Sequence, residues 1–115
     1  MFLRKKHMKS SLVSNALTLS ATVVALLAAP TASANMALAQ KKNCMACHAM
    51  DKKIVGPSYK DVAAKYADDK EAVAKLADKI IKGGAGVWGP VPMPANAQVS
   101  PAEATQLAQW ILTVK

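Results

Sequence analysis

The two cysteines of this 115-residue chain stand three positions apart, and a histidine follows the second one directly, in the segment Cys44-Met45-Ala46-Cys47-His48. A disulfide between Cys44 and Cys47 would close a very small loop and remove little entropy from the unfolded chain. A structural zinc ion needs four ligands, and no second cysteine pair is present. A thioredoxin-like thiol–disulfide motif requires a surrounding βαβ pattern, which the sequence lacks. These three explanations of the segment are therefore disfavoured.

The same segment has the C-x-x-C-H spacing of covalent haem attachment. Residues three apart on a helical turn lie on one face, so both thiols can reach the two vinyl groups of one porphyrin. The histidine that follows can then reach the iron. The sequence therefore predicts one haem c, bound covalently through Cys44 and Cys47, with His48 as an axial ligand of the iron.

The amino-terminal third of the chain has the pattern of an export signal. A basic start is followed by an apolar stretch from about Leu12 to Ala29 and then by Ala32-Ser33-Ala34. We expect cleavage after Ala34, so that residues 1–34 are a signal peptide and residues 35–115 form one domain in the periplasm. A cut after Ala39 and an uncleaved membrane anchor are the alternatives.

The predicted mature chain is small and only moderately basic. It carries 11 basic and 7 acidic residues, a formal charge of +4, so a nucleic-acid partner is not expected. A domain of this size is marginally stable on its own core and usually needs a covalent or metal staple. A covalently held haem would supply both a core and a staple.

The second axial ligand can be predicted by elimination. His7 is the only other histidine and leaves with the signal peptide. Met45 and Met50 lie too close to the attachment motif to cross to the other haem face, and Met36 precedes the motif on the same predicted helix. Met93 is flanked by prolines, which hold an extended, stiff loop. We therefore predict Met93 as the second iron ligand; the alternative is a methionine that fills a gap in the core.

Hydrophobic periodicity and capping signals predict an all-α domain. A Gly- and Pro-rich loop is expected from Gly83 to Pro94. The last helix opens with the capping box Ser100-Pro101-Ala102-Glu103 and carries an apolar stripe that would pack on the first helix. The helices are predicted at Asn35 to about Cys47, Asp61 to Tyr66, Asp69 to Lys82, and from the capping box to Val114.

Beyond the attachment motif, several segments of residues 35–115 resemble one family in order and spacing. These segments are Val55-Gly56-Pro57, Tyr59 to Tyr66, Gly86-Val87-Trp88-Gly89-Pro90 and Pro92-Met93-Pro94-Ala95-Asn96. They resemble the class I cytochromes c, and among them the small periplasmic carriers of the cytochrome c-551 (c8) type. The resemblance implies about four helices wrapped round one covalently attached haem.

The resemblance also implies four further haem contacts. The Pro57 carbonyl would accept a hydrogen bond from the ring nitrogen of His48 that faces away from the iron. The Trp88 indole would donate to a haem propionate. Lys79 stands where the family often has a propionate-binding arginine, and Asn96 would hydrogen-bond near the Met93 sulfur. The alternatives are a plain turn at Pro57, a core position for Trp88, and solvated surface for Lys79 and Asn96.

With both axial positions filled by protein, the iron has no open place for a substrate. The expected function is that of a non-enzymatic, soluble one-electron carrier and a monomer, without stable membrane insertion after signal cleavage. The resemblance implies redox partner proteins: a donor such as a cytochrome bc1-type complex, and an acceptor such as nitrite reductase, a terminal oxidase or a cytochrome peroxidase. The alternative is a five-coordinate haem protein with gas-binding or peroxidatic activity.

The lysines near the attachment motif allow two interpretations. They either ring the exposed haem edge and steer acidic partners toward it, or form an ordinary solvated surface. The residues concerned are Lys41, Lys42, Lys52, Lys53 and Lys60.

Overall fold

The computed structural model describes residues 30–115. The predicted signal segment up to residue 29, including His7 and the apolar stretch, lies outside the described residues. The described part contains helices and two isolated antiparallel bridges, and no strand, so the prediction of an all-α chain is confirmed. In chain order the elements are α1 (Ala32–Lys41), a 3₁₀ turn (Cys44–Ala46), α2 (Tyr59–Lys65), α3 (Ala72–Lys82) and α4 (Pro101–Ile111).

Helix α1 starts earlier and ends earlier than predicted. The Thr31 hydroxyl accepts a hydrogen bond from the Ala34 amide at 3.2 Å and caps the first turn. The helix ends at Lys41 because Asn43 adopts a left-handed backbone conformation, with φ 64°, which asparagine tolerates better than most residues. The haem motif is therefore a separate 3₁₀ turn and does not continue α1.

Helix α2 starts two residues before the predicted Asp61. The Ser58 side chain is fully buried and accepts a hydrogen bond from the Asp61 amide at 3.0 Å. This cap places Tyr59 in the first turn of α2, with its side chain in the core.

Helix α3 starts three residues after the predicted Asp69. The Asp69 carboxylate accepts a hydrogen bond from the Glu71 amide at 2.9 Å and pairs with Lys75 at 2.8 Å. Asp69 therefore stabilises a turn in front of the helix. The predicted stop is confirmed, because Gly83 ends α3 at φ 69°, in the left-handed region that favours glycine.

The Gly- and Pro-rich segment after α3 is a loop, as predicted, and it doubles back on itself. Gly84 and Met93 form an isolated antiparallel bridge, with amide-to-carbonyl distances of 2.9 Å and 2.8 Å. Met93 is therefore held through its backbone to Gly84, the second residue after α3.

The predicted capping box of α4 is confirmed. The Glu103 amide donates to the Ser100 hydroxyl at 3.1 Å, and the Ser100 amide donates to the Glu103 carboxylate at 3.0 Å. The helix ends at Ile111, three residues before the predicted Val114, and a turn bond from the Val114 amide to the Ile111 carbonyl follows at 3.1 Å.

The core lies where α4 meets the other three helices. Helix α4 contacts α1, as predicted, and it contacts α3 more extensively. The predicted stripe of α4 is buried at Leu107, Trp110 and Ile111. Helix α1 contributes Ala39, which is fully buried, and the half-buried Met36 and Leu38. Within residues 30–115, no helix is both long and apolar enough to cross a membrane.

Candidate functional site

One cleft brings together every residue predicted to contact the cofactor or its iron. Its walls come from the 3₁₀ turn, the segment before α2, helices α2, α3 and α4, and the loop that carries Met93. Much of the lining is aliphatic, including Val62, Leu76, Ile80, Leu107 and Ile111. The predicted site residues that line the cleft are Cys44, Cys47, His48, Pro57, Lys79, Trp88, Met93 and Asn96.

Cys44 opens the 3₁₀ turn and Cys47 directly follows it, and both half-buried side chains line the cleft. The Cys44 carbonyl accepts hydrogen bonds from the Cys47 amide at 3.2 Å and the His48 amide at 3.0 Å. Burial raises the pKa of the Cys44 thiol, against a smaller lowering by hydrogen bonds from the backbone and Tyr59. An attacking thiol of the thioredoxin type has a lowered pKa, so the electrostatics disfavour thiol–disulfide chemistry at Cys44.

His48 is held in one orientation by the turn that precedes α2. Its Nδ1 lies 2.7 Å from the Pro57 carbonyl oxygen. A carbonyl can only accept, so Nδ1 carries the proton and donates, which leaves the lone pair of Nε2 free to bind a metal. This is the hydrogen bond that the resemblance implied for Pro57.

Tyr59 is a site residue that the sequence analysis did not single out. Its ring stacks on His48 with centroids 5.3 Å apart and planes inclined by 19°. It also meets Trp110 edge to face at 5.3 Å. Burial, reinforced by the neighbouring Cys44, raises the pKa of the Tyr59 hydroxyl. The ring thus connects His48 to the core; the available sequence signal was an aromatic residue directly after Gly-Pro-Ser.

Two glycines leave room for close contacts with His48 and Met93, the two predicted iron ligands. A Cβ atom added to Gly56 would lie 2.6 Å from Cε1 and 3.0 Å from Nδ1 of His48. A Cβ atom added to Gly83 would collide with the carbonyl oxygen of Met93. From the sequence, Gly56 was placed only in a segment that resembles the family, and Gly83 only at the start of a loop.

Asn96 lies close to Met93 in the chain, and its side-chain amide donates hydrogen bonds to backbone carbonyl oxygens. Its Nδ2 donates to the Ile80 carbonyl at 2.8 Å and, more weakly, to the Pro94 carbonyl at 3.4 Å. Carbonyl oxygens are stronger acceptors than a thioether sulfur, so the side-chain amide of Asn96 ties the Met93 loop to α3. Both described acceptors of this amide are backbone carbonyls, and a hydrogen bond of Asn96 near the Met93 sulfur stays a prediction.

Lys79 and Trp88 lie at the edges of the cleft. Lys79 is half-buried and forms no ion pair within residues 30–115, so its charge is available to an anionic group in the cleft. Trp88 is 39% exposed, and its contact with a haem propionate stays a prediction. The Lys65 ammonium lies 5.4 Å from the centroid of the Trp88 ring, within cation–π range.

The lysines near the motif do not form a uniform group. The Lys42 ammonium pairs with Glu103 at 3.1 Å, and its side chain is only 15% exposed. Lys53 lines the cleft, whereas Lys41, Lys52 and Lys60 are exposed. Lys42 is therefore unavailable to a docking partner.

Comparisons with known proteins agree with the fold. The sequence model of the family described as "Cytochrome c" matches residues 34–115. Cytochrome c-552 of Nitrosomonas europaea is 56% identical over 91 residues, covering 79% of this chain and 88% of that protein. Cytochrome c-552 of Hydrogenobacter thermophilus is 62% identical over 82 residues, covering 71% of this chain and 83% of that protein.

A solved structure shows the same similarity. The crystal structure of wild-type Nitrosomonas europaea cytochrome c552 superposes with a TM-score of 0.68 at 56% identity, covering 70% of this chain and 99% of that one. The chain belongs to the cytochrome c family, with the fold of a class I c-type cytochrome. It is a small c-type cytochrome, and its relatives are electron carriers.

The cofactor prediction is confirmed: the family and the Cys44/Cys47 pair indicate one covalently bound haem c. The residues of the cleft fit this group. The aliphatic lining suits a porphyrin, both thiols face it, and His48 presents a free Nε2. Within residues 30–115, no group of three or more His, Cys, Asp or Glu side chains is placed to hold a metal ion.

Proposed function

We propose that this protein is a periplasmic one-electron carrier whose haem iron is held between His48 and Met93. The observation that carries the proposal is that these two side chains, from segments 45 positions apart in the chain, line the same cleft as the two cysteines. The bound haem supplies an iron that alternates between two oxidation states. The chain's own residues determine what else the iron can do.

The arrangement of the protein groups favours electron transfer over substrate chemistry. The Pro57 carbonyl fixes the His48 ring and raises the basicity of its free nitrogen. The bridge to Gly84 fixes the backbone of Met93. If His48 and Met93 held the iron, no ligand position would remain open to oxygen or peroxide, and thioether ligation would raise the reduction potential. The five-coordinate alternative is not favoured.

Residues at the rim of the cleft would make the remaining contacts, with the haem propionates and with redox partners. Lys79 would neutralise a haem propionate with its unpaired ammonium group, and the indole of Trp88 would donate to a propionate. The exposed apolar residues Val55, Val87 and Val91 share the same rim. Redox partners would approach there: a cytochrome bc1-type donor, and nitrite reductase, a terminal oxidase or a cytochrome peroxidase as acceptor.

The proposal includes export and cleavage after Ala34. Asn35 and Ala39 are buried against the rest of the domain, and the Asn35 side chain accepts a hydrogen bond from Gln106 at 2.7 Å. A cut after Ala39 would remove these contacts, whereas a cut after Ala34 keeps them. Mass spectrometry of protein from the periplasmic fraction should therefore give a chain that starts at Asn35 and carries one haem.

The decisive test is the visible and near-infrared spectrum of the haem-loaded protein, oxidised and reduced, with and without carbon monoxide. We expect a low-spin spectrum with the weak methionine–iron(III) charge-transfer band and no response to carbon monoxide. Met93→Ala should lose the band, lower the reduction potential and admit carbon monoxide. Met50→Ala is the matched control, because Met50 is half-buried beside the core and does not line the cleft. An unchanged band in Met93→Ala would refute the assignment.

A further inference from the structure

The short segment that follows Met93 is joined to the end of α1 by side-chain hydrogen bonds. Gln98 donates through Nε2 to the Lys42 carbonyl at 3.3 Å and to Oδ1 of Asn96 at 3.1 Å. In the other direction, the Lys42 ammonium donates to the Gln98 carbonyl at 2.7 Å. Lys42 and Gln98 are 56 positions apart in the chain, so these contacts form only when the domain is folded. We call this set of contacts the Lys42–Gln98 bridge.

The bridge joins the segments that carry the two halves of the haem site. Lys42 stands two residues before Cys44, and Gln98 stands five residues after Met93. Asn96 extends the connection, because its side chain donates to the Ile80 carbonyl and its backbone amide donates to the Ile81 carbonyl at 3.1 Å. The end of α1, two residues before Cys44, and the carboxyl end of α3 thus hold the chain after Met93 from two sides.

The environment makes Lys42 a fixed partner and not a mobile surface charge. Its side chain is 15% exposed and pairs with Glu103, which is itself fixed by the capping box of α4. A nearly buried ammonium group that loses its partners is costly. Lys42 therefore holds the Gln98 carbonyl against a rigid part of the fold.

We propose that Gln98 and Lys42 are positioning residues for Met93: the bridge holds the methionine loop against the haem-attachment segment and so disfavours release of the sulfur from the iron. This inference rests on the proposed role of Met93 as a ligand. The Met93 loop is tied to the body of the domain at Gly84 on one side and at Asn96 and Gln98 on the other. When the second tie is loosened, the loop can swing away while the helices stay folded.

The population of the released state can be measured with free imidazole, which binds the ferric iron only after Met93 has left. The apparent affinity for imidazole is proportional to the fraction of protein in the released state. One hydrogen bond changes such an equilibrium about two- to tenfold.

The test compares imidazole titrations of the haem-loaded wild type and Gln98→Met, followed by loss of the methionine–iron charge-transfer band. Methionine has a similar length but no amide donor, and the Gln98 backbone carbonyl remains available to Lys42. We expect the apparent affinity for imidazole to rise about two- to tenfold. Lys42→Met should raise it further, and Lys42→Arg should restore most of the wild-type value.

Gln106→Met is the matched control. It is the same substitution and it also removes a hydrogen bond between α4 and the amino-terminal part of the domain, the 2.7 Å contact with Asn35. Gln106 and Asn35 do not line the haem cleft. Gln106→Met should lower the midpoint of unfolding by denaturant and leave imidazole affinity unchanged.

Two outcomes would overturn the inference: an imidazole affinity of Gln98→Met equal to that of the wild type, or an increase matched by Gln106→Met, which would show a general loss of stability. A wild type that lacks the charge-transfer band would instead refute Met93 ligation itself, so the two failures are distinguishable.

Discussion

Gly56 is the residue at which a single methyl group should most directly disturb His48, the proposed iron ligand. A Cβ atom placed on Gly56 lies 2.6 Å from Cε1, 3.0 Å from Nδ1 and 3.2 Å from Nε2 of His48, whereas ordinary contacts start at 3.4 Å. Relief of the shortest contact alone requires the ring to move by 0.8 Å. Stacking on Tyr59 and the Pro57 hydrogen bond oppose this movement.

The cost of Gly56→Ala can be assembled from three effects. Overpacking of a fixed ring costs about 1–3 kcal/mol. A weakened hydrogen bond between His48 and the Pro57 carbonyl, which starts at 2.7 Å, costs about 1 kcal/mol. The lower entropy of the unfolded chain returns about 0.4–1 kcal/mol. The free energy of unfolding should therefore fall by about 1–4 kcal/mol, as measured by guanidinium titration of the haem-loaded protein.

A second readout separates the effect on His48 from a general loss of stability. Because the Pro57 hydrogen bond increases the basicity of His48, its weakening should raise the reduction potential. Gln106→Met is the control, because it removes the 2.7 Å hydrogen bond to Asn35 and Gln106 does not line the haem cleft. It should lose stability without a change in potential. The reasoning is refuted if Gly56→Ala keeps both the wild-type stability and the wild-type potential.

Three further substitutions probe the attachment, the core and the acid stability. Cys47→Ser leaves one thioether and should reduce the haem retained after denaturation and extraction; full retention would contradict covalent attachment at Cys47. Leu107→Ala, at a side chain 1% exposed, should cost about 2–5 kcal/mol in denaturant titration, and a cost below about 1 kcal/mol would contradict its place in the core. The Ser100 amide and then Lys42 hold the pKa of Glu103 below its ordinary 4.5. Glu103 therefore stabilises the folded state above pH 4.5, and this contribution is lost as the pH falls through its folded-state pKa. Between neutral pH and about pH 3, Glu103→Gln should lose less free energy of unfolding than the wild type. Equal losses would refute this.

The structure could be predicted from the sequence where it depends on residues that are close together in the chain. The capping box of α4 and the glycine that ends α3 depend on residues within four positions of each other, and both are confirmed. The C-x-x-C-H motif is equally local, and it led to the haem. The capping effect of the buried Ser58 was missed because its burial depends on the tertiary fold, and the left-handed Asn43 was missed because asparagine also occurs inside helices.

Other parts of the site depend on pairs of residues far apart in the chain. The stacking of Tyr59 on His48 and the Lys42–Gln98 contacts arise only from tertiary packing. For Asn96, the resemblance indicated the right neighbourhood but not the partner, because the Ile80 carbonyl reaches the site from a helix 16 positions earlier. Neither hydrophobic periodicity nor a local motif in a single sequence predicts these contacts between residues far apart in the chain.

The side chains that line the cleft also form part of the core, so haem binding and folding depend on the same residues in this domain. Leu76, Ile80, Leu107 and Ile111 belong to the core that joins α3 to α4, and the same four residues line the haem cleft. A haem in the cleft therefore extends the core of a domain too small to form a large one. Residues such as Gln98 lie outside this shared wall, so a substitution there can change how firmly Met93 is held without removing core contacts.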